Sequence, residues 1–199
     1  MTKTSLPTNL VKHTSKNPIQ KFLINNFYVS LTSTINDLFP ITILDAGCGE
    51  GFTMNKLTQL KLGKKIEGVE YSKESIEYGK KLFPNLIIKQ GSVYDLPYKD
   101  DSFDLVICTE VLEHLEEPAK ALREMLRVTK KYLILSVPSE PLFMLSNFLR
   151  GKNLSRFGND EGHINHWNPW SLKKLLEKNG IKVKKTLLPF PWIMIVGTK

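Results

Sequence analysis

The feature that most constrains the fold is a regular alternation of short apolar runs with helix-like segments between residues 41 and 137. The strand-like runs lie near 41–44, 65–69, 86–89, 103–108 and 132–137, and the helix-like segments at 52–61, 72–82 and 118–128. Strands that are joined by helical crossovers lie parallel in one sheet, with helices on both of its faces. The pattern therefore predicts an α/β protein with a doubly wound sheet.

The last part of the chain departs from this alternation. Two strand-like runs, 182–188 and 192–197, are separated only by Pro189, Phe190 and Pro191. Such a link is too short for a crossover, so the two runs must form an antiparallel hairpin. The sequence thus predicts seven strands, mostly parallel, with an antiparallel hairpin at the end.

The length of 199 residues favours a single domain over the range 1–199. We expect residues 1–38 to form an N-terminal helical cap. Residues 138–167 combine an apolar stretch, a turn rich in glycine and asparagine, and two histidines. We expect this segment to be an insertion that covers the carboxyl edge of the sheet, where ligands bind in such folds.

Composition and charge limit the possible partners. No apolar run approaches the roughly 20 residues that cross a bilayer, and residues 1–20 are polar, so we expect a cytoplasmic protein without a membrane span. The net charge is +8, but many lysines near the C-terminus alternate with apolar residues, which is typical of a solvated face rather than a nucleic-acid groove. Cys48 and Cys108 flank apolar runs and are expected to be buried thiols, not a disulfide.

A glycine-rich turn follows the first predicted strand. Gly47, Gly49 and Gly51 lead into a helix, so backbone N–H groups and the positive end of the helix surround a space for a ligand. The spacing differs from the dinucleotide fingerprint, and the preceding Asp45 favours a ligand that carries an ammonium group. Glu70, at the end of the second strand, is placed to accept hydrogen bonds from ribose hydroxyls.

These motifs resemble those of the class I S-adenosylmethionine-dependent methyltransferases, in particular the methyltransferase type 11-like, small-molecule branch. The matching stretches are 44–51, 91–98, 101–106 and 110–115, in the family's order, and the resemblance covers residues 40–137 and the terminal hairpin. It implies a Rossmann-like fold that binds S-adenosylmethionine and releases S-adenosylhomocysteine.

The resemblance also implies which residues contact the cofactor. The turn would approach the methionyl part, Asp45 its amino group, Glu70 the ribose, and Tyr71 the adenine. Ser92 stands where the family often has an acid, and as a neutral partner it offers a weaker hydrogen bond. The implied set is Asp45, Gly47, Cys48, Gly49, Gly51, Glu70, Tyr71, Ser92, Val93 and Glu110.

Three histidines are candidates for catalysis. Methyl transfer from a sulfonium is a direct displacement that requires alignment and a deprotonated nucleophile, and histidine suits proton removal near neutrality. His114, His163 and His166 all follow sheet strands or lie in the insertion. For His114 a supporting role at the cofactor site is the alternative, and for the two others the alternative is a loop that docks through Trp167.

A metal-dependent variant stays open. The spacing of Glu110, Glu113 and His114 places them on one side of a helical turn, and with His166 they resemble the metal site of small-RNA 3′-terminal 2′-O-methyltransferases. The Glu-x-x-Glu-His portion also resembles ubiquinone-pathway O-methyltransferases. Because the same string occurs in relatives without metal, our main prediction includes no metal.

We therefore predict an enzyme that transfers a methyl group to a small-molecule acceptor, partly hydrophobic, as a monomer or homodimer without a nucleic-acid partner. The alternatives are a metal-dependent RNA 2′-O-methyltransferase and a non-catalytic regulatory protein that binds S-adenosylmethionine.

Overall fold

The computed structural model describes residues 8–149, 151, 153–160 and 162–199. The strands are β1 (Thr42–Ala46), β2 (Lys65–Glu70), β3 (Ile87–Gln90), β4 (Phe103–Thr109), β5 (Thr129–Pro138), β6 (Lys182–Leu187) and β7 (Trp192–Thr198). The helices are α1 (Thr8–Thr14), α2 (Pro18–Leu38), α3 (Phe52–Gln59), α4 (Lys73–Leu82), α5 (Pro118–Val128), α6 (Leu142–Leu149) and α7 (Pro169–Lys178).

All seven strands belong to one sheet with the order β3-β2-β1-β4-β5-β7-β6. The pairs among β1 to β5 are parallel, whereas β7 is antiparallel to both β5 and β6. The prediction of a mostly parallel seven-stranded sheet with a terminal antiparallel hairpin is therefore confirmed. The chain first runs outward from β1 to β3 and then returns to the other side of β1, so the carboxyl ends of β1 and β4 flank the crevice where ligands bind in open α/β sheets.

The core lies on both faces of the sheet, as continuous apolar strands require. One face packs against α5 and α7 through residues such as Val106, Leu135 and Leu122. The other face is covered by α2, whose Phe27 and Leu31 pack against the sheet. Both cysteine thiols are free and buried, as expected.

The N-terminal region forms two helices within residues 8–38, and residues 1–7 of the expected cap lie outside the described residues. Helix α2 begins where the Asn17 side chain accepts hydrogen bonds from two backbone N–H groups and Pro18 occupies the first turn. Helix α1 reaches the carboxyl edge of the sheet, where Asn9 Nδ2 donates to Glu50 Oε2 at 2.9 Å.

Between β5 and α7 the chain contains α6 and a 3₁₀ turn at Leu154–Arg156. Residues 150, 152 and 161 of the expected 138–167 insertion lie outside the described residues. The backbone N–H groups of Ile164 and Asn165 both donate to Glu113 O, at 2.9 and 3.1 Å. These bonds hold the end of the segment against the turn that follows β4, at the carboxyl edge of the sheet.

Within the described ranges, no helix has both the length and the apolar character needed to traverse a bilayer.

Candidate functional site

The glycine loop, residues 47–51, connects β1 to α3. Its three glycines have φ angles of 82°, 54° and 87°, a region that side-chain-bearing residues rarely adopt. Gly47 N and Cys48 N donate to Val69 O at 2.8 and 3.1 Å, which ties the loop to the end of β2. A Cβ at Gly47 would stand 2.5 Å from Val111 Cγ2, so the close approach of the two segments also requires glycine.

Asp45 lies in β1 directly before this loop. It is 1% exposed, and neither carboxylate oxygen has a hydrogen-bond partner in the described part of the chain. Burial, reinforced by the charge of Glu70, raises the pKa of Asp45 to about 7. A buried carboxylate without a donor is costly, and a cationic donor on a ligand would remove that cost.

Glu70, which is predicted to bind ribose hydroxyls, also accepts hydrogen bonds from the backbone of this chain. Its Oε2 accepts from Gly49 N at 2.9 Å and its Oε1 accepts from Ser72 N at 2.7 Å. The carboxylate therefore holds the glycine loop against the start of α4. A carboxylate has about four acceptor positions, so lone pairs remain for ribose hydroxyls.

The residues expected near adenine lie at the rim of the same edge. Tyr71 is 79% exposed directly after β2. The Ser92 hydroxyl accepts from Tyr94 N at 3.1 Å and so closes its own turn, while Val93 is buried. The contact of these three residues with adenine stays a prediction.

Glu50 is a buried residue of the loop that the sequence analysis did not single out. It is fully buried, with one oxygen bonded to Asn9 and the other without a partner among the described residues. The only signal in the sequence is an acidic residue between two glycines. A Cβ at Gly49 would lie 3.0 Å from Asn9 Nδ2, so α1 packs directly over the loop.

Glu110 follows β4 with a φ of 59°. Its carboxylate accepts from Trp192 Nε1 at 2.5 Å and from Ser136 Oγ at 3.4 Å, and it lies 3.7 Å from Lys12 Nζ. Burial raises the pKa of Glu110, although the charge of Lys12 opposes this. Lys12 also lies over the Trp192 ring, so Glu110 connects α1 to β7, and its predicted cofactor contact stays a prediction.

Glu113, His114 and His163 form a compact group, here called the Glu-His cluster. Their ligand-type atoms all lie within 4.8 Å of one another. His114 Nδ1 is 2.9 Å from Gly162 O, and the rings of His114 and His163 are 5.0 Å apart. Glu113 is 1% exposed, and both of its carboxylate oxygens lack a partner among the described residues.

The electrostatics of the Glu-His cluster follow from its burial. Burial, together with the charge of Glu110, raises the pKa of Glu113 well above its usual range. Burial and the neighbouring His114 lower the pKa of His163 to about 4. Phe143 lies against His163, with ring centroids 5.6 Å apart, and supplies the apolar side of the group.

His166 lies outside the Glu-His cluster. Its Nδ1 is 3.9 Å from Glu140 Oε1, and its side chain is 43% exposed. Glu110, Glu113, His114 and His166 were named as the ligands of the metal-dependent alternative, and of these the structure brings Glu113 and His114 together, but with His163.

The single helical face that was expected to align Glu110, Glu113 and His114 is not present. The turn after β4 has a 3₁₀ turn at Leu112–His114, which does not include Glu110. Glu110 has a positive φ, and its side chain accepts a hydrogen bond from Trp192.

Comparisons with known proteins agree with this geometry. Residues 44–135 match the family model described as a methyltransferase domain. A probable S-adenosylmethionine-dependent methyltransferase of Mycolicibacterium smegmatis is 29% identical over 147 residues, which cover 73% of this chain and 53% of that protein. This chain spans about half, or less, of the length of the first curated relatives it matches.

Two solved structures share the fold. A SAM-dependent methyltransferase from Aquifex aeolicus superposes with a TM-score of 0.70 at 17% identity, over 98% of this chain and 99% of that chain. The magnesium protoporphyrin IX methyltransferase of Synechocystis PCC 6803, with bound SAH, gives 0.66 at 20% identity, over 93% and 89% of the two chains.

Proposed function

We propose that this chain is a class I S-adenosylmethionine-dependent methyltransferase and that it transfers a methyl group from S-adenosylmethionine to a small-molecule acceptor; the family-model match over residues 44–135 and the similar methyltransferases support this. The observation that carries the proposal is the buried Asp45 carboxylate, without a partner in the described part of the chain, beside the glycine loop. We call the region of Asp45, Glu70 and the glycine loop the cofactor end of the site.

The residues of the cofactor end fit S-adenosylmethionine. The glycine loop admits close approach of a ligand because its three glycines carry no side chain. Asp45 would accept a hydrogen bond from the amino group of the methionyl part, and Glu70 would bind the ribose hydroxyls with its remaining lone pairs. When bound, the cofactor supplies a methyl group on a positively charged sulfonium.

The acceptor would lie beneath the described residues of the segment 138–167. We call this segment, together with the turn after β4, the acceptor end. Phe143 offers an apolar contact there, and Leu145 and Phe148 of α6 are 52% and 42% exposed, which supports a partly hydrophobic acceptor. A cofactor held at the cofactor end would supply the methyl group to the acceptor atom, and a residue of this chain would have to remove the acceptor's proton.

We assign proton removal to His166. Its Nδ1 faces the Glu140 carboxylate at 3.9 Å, and a carboxylate beside one ring nitrogen leaves the other free to accept a proton. The side chain is also accessible enough to meet an acceptor. The other two histidines contact each other in the Glu-His cluster, which leaves His166 as the separate base.

The test combines cofactor binding with product formation. We expect one S-adenosylmethionine per chain by isothermal titration calorimetry, and S-adenosylhomocysteine release with a panel of hydroxyl, amine and thiol acceptors. His166→Ala should lower turnover by about a hundredfold or more and leave cofactor affinity within about twofold. Absence of cofactor binding would overturn the function, and full activity of His166→Ala would remove His166 from the mechanism.

The non-catalytic alternative predicts a different result in the same assay. It requires cofactor binding at one site per chain without conversion to S-adenosylhomocysteine for any acceptor.

A further inference from the structure

We propose that the Glu-His cluster is a binding site for one divalent transition-metal ion at the acceptor end. The ligands are a Glu113 carboxylate oxygen and one nitrogen each of His114 and His163. Binding of the ion does not depend on the proposed methyl transfer, whereas its use in activating an acceptor rests on that function.

The first argument is distance. The potential ligand atoms lie within 4.8 Å of one another. Bonds from imidazole nitrogen or carboxylate oxygen to such ions are about 2.0 to 2.2 Å, so two ligands on opposite sides of one ion are about 4.2 Å apart. Small side-chain movements would therefore bring all three atoms to bonding distance of one ion.

The second argument is the state of the buried polar atoms. Glu113 is 1% exposed, and its oxygens, like His163 Nδ1, are buried without a hydrogen-bond partner in the described ranges. Burial of an unpaired carboxylate is expensive, and proteins normally pair such groups or use them to coordinate metals. Three such atoms in one place suit the binding of a cation.

The third argument is the orientation of His114. A carbonyl oxygen can only accept a hydrogen bond, so the 2.9 Å contact with Gly162 O requires the hydrogen on His114 Nδ1. Its Nε2 then carries the lone pair. Histidines that bind metals commonly donate their other N–H to a backbone carbonyl in this way, which fixes both the tautomer and the ring orientation.

The donor set indicates the class of ion. Two imidazole nitrogens and one carboxylate suit Mn²⁺, Fe²⁺, Co²⁺ or Zn²⁺, whereas Mg²⁺ and Ca²⁺ prefer oxygen ligands throughout. Three protein ligands leave coordination positions open, as in catalytic rather than structural sites. An acceptor hydroxyl bound there would lose its proton more easily.

The site also joins two parts of the chain. Glu113 and His114 belong to the turn after β4, and His163 belongs to the segment that follows α6. The backbone bonds from Ile164 and Asn165 to Glu113 O already hold these parts together. A bound ion would add a further link and stabilise the acceptor end.

The experiment measures metal content and affinity in the full chain. Protein stripped with EDTA is dialysed against Mn²⁺, Co²⁺ or Zn²⁺ at micromolar concentration, and bound metal is counted by plasma mass spectrometry. We expect about one ion per chain, and a visible absorption band for the Co²⁺ form. His163→Ala should weaken Co²⁺ binding by about a hundredfold or more.

His166→Ala is the matched control, because His166 lies in the same segment but outside the Glu-His cluster, and it should bind metal as the wild type does. Cofactor affinity measured in EDTA reports folding of each variant and tests the proposed function separately. The inference is overturned if the wild type binds no stoichiometric ion, or if His166→Ala loses as much affinity as His163→Ala.

Discussion

The cofactor end is built mainly from one short stretch of chain, whereas the acceptor end joins two stretches far apart in the sequence. The glycine loop follows β1 directly, and its bonds go to the adjacent strand β2. At the acceptor end, by contrast, His114 meets Gly162 across 48 residues. The difference shows which part of such a site a local pattern can encode and which part needs the folded chain.

Both ends contain a buried carboxylate that lacks a partner among the described residues, yet their surroundings differ. Asp45 lies directly before the glycine loop, and the charge of Glu70 acts on it. Glu113 lies beside two imidazoles. Both are suited to a cation, and the neighbouring groups favour an organic ammonium at Asp45 and a metal ion at Glu113.

The largest expected effect is that of Gly47→Val, which should abolish cofactor binding at the cofactor end. The new Cβ would stand 2.5 Å from Val111 Cγ2, at a φ of 82°. We expect cofactor affinity, measured by titration calorimetry, to fall beyond detection. Gly180→Ala, at a φ of 84° with its nearest neighbour 3.7 Å away, is the control and should bind normally. Normal binding by Gly47→Val would show that the loop is not the site.

Asp45→Asn should separate cofactor affinity from stability. The affinity should fall by about 10- to 100-fold, because a charged hydrogen bond to an ammonium is lost. The pKa of Asp45 is about 7 in the folded chain against 3.8 in the unfolded chain, so folding binds protons between these pH values and stability decreases as pH rises from about 4 to about 7. In Asp45→Asn, the free energy of unfolding measured by denaturant titration should no longer decrease between pH 5 and pH 8. If the variant shows the same decrease as the wild type, another group is responsible for the pH dependence.

Cofactor affinity of the wild type should itself depend on pH. Below about pH 7 Asp45 is increasingly protonated before the ligand binds, so affinity should fall by up to about tenfold per pH unit between 7 and 5. The neighbouring Tyr28, Cys48 and Cys108 have raised pKa values and stay neutral in this range, and the charge of Glu70 raises the pKa of Asp45 in addition to burial. A flat profile in the wild type would contradict Asp45 as the partner of the ammonium.

The smallest expected effect is at the acceptor end. Asn165 Nδ2 donates to Leu112 O at 3.2 Å and to Leu115 O at 2.6 Å. Asn165→Ala should therefore weaken the attachment of residues 162–167 to the turn after β4 by about 1 to 2 kcal/mol. The KM for an acceptor should rise by about three- to tenfold while cofactor affinity is unchanged. Asn179 directly follows α7, and its side chain donates to Leu175 O and accepts from Arg123. Asn179→Ala removes these bonds away from the acceptor end and should leave the KM unaltered. Equal effects of the two variants would mean that the bonds of Asn165 do not shape the acceptor end.

Much of the fold was predictable because its signals are local. Short runs with apolar residues mark the parallel strands, and the structure places β1 to β4 within two residues of the predicted bounds. The start of β5 differs, since it lies at Thr129 rather than near residue 132. The two lysines that follow Thr129 hide this start in the sequence, and pairing of Thr129 with Phe103 extends the strand.

The candidate site was less predictable in its long-range contacts. The bond between Glu50 and Asn9, and the use of Glu70 to hold the glycine loop, depend on which hydrogen-bond donors come near each carboxylate in the folded chain. The same applies to the choice of His163 over His166 as the neighbour of His114. Both histidines lie in one polar stretch, and no spacing rule distinguishes them.

The sequence by itself determined the alternation of strands and helices, the terminal hairpin and the glycine loop after β1. These features depend on side-chain period, loop length and the freedom of glycine at positive φ, which are all properties of neighbouring residues. Only the tertiary structure decided that Glu113, His114 and His163 meet while Glu110 turns toward Trp192. The reason is that backbone bonds between the turn after β4 and a distant segment select one arrangement, and a linear pattern does not carry that information.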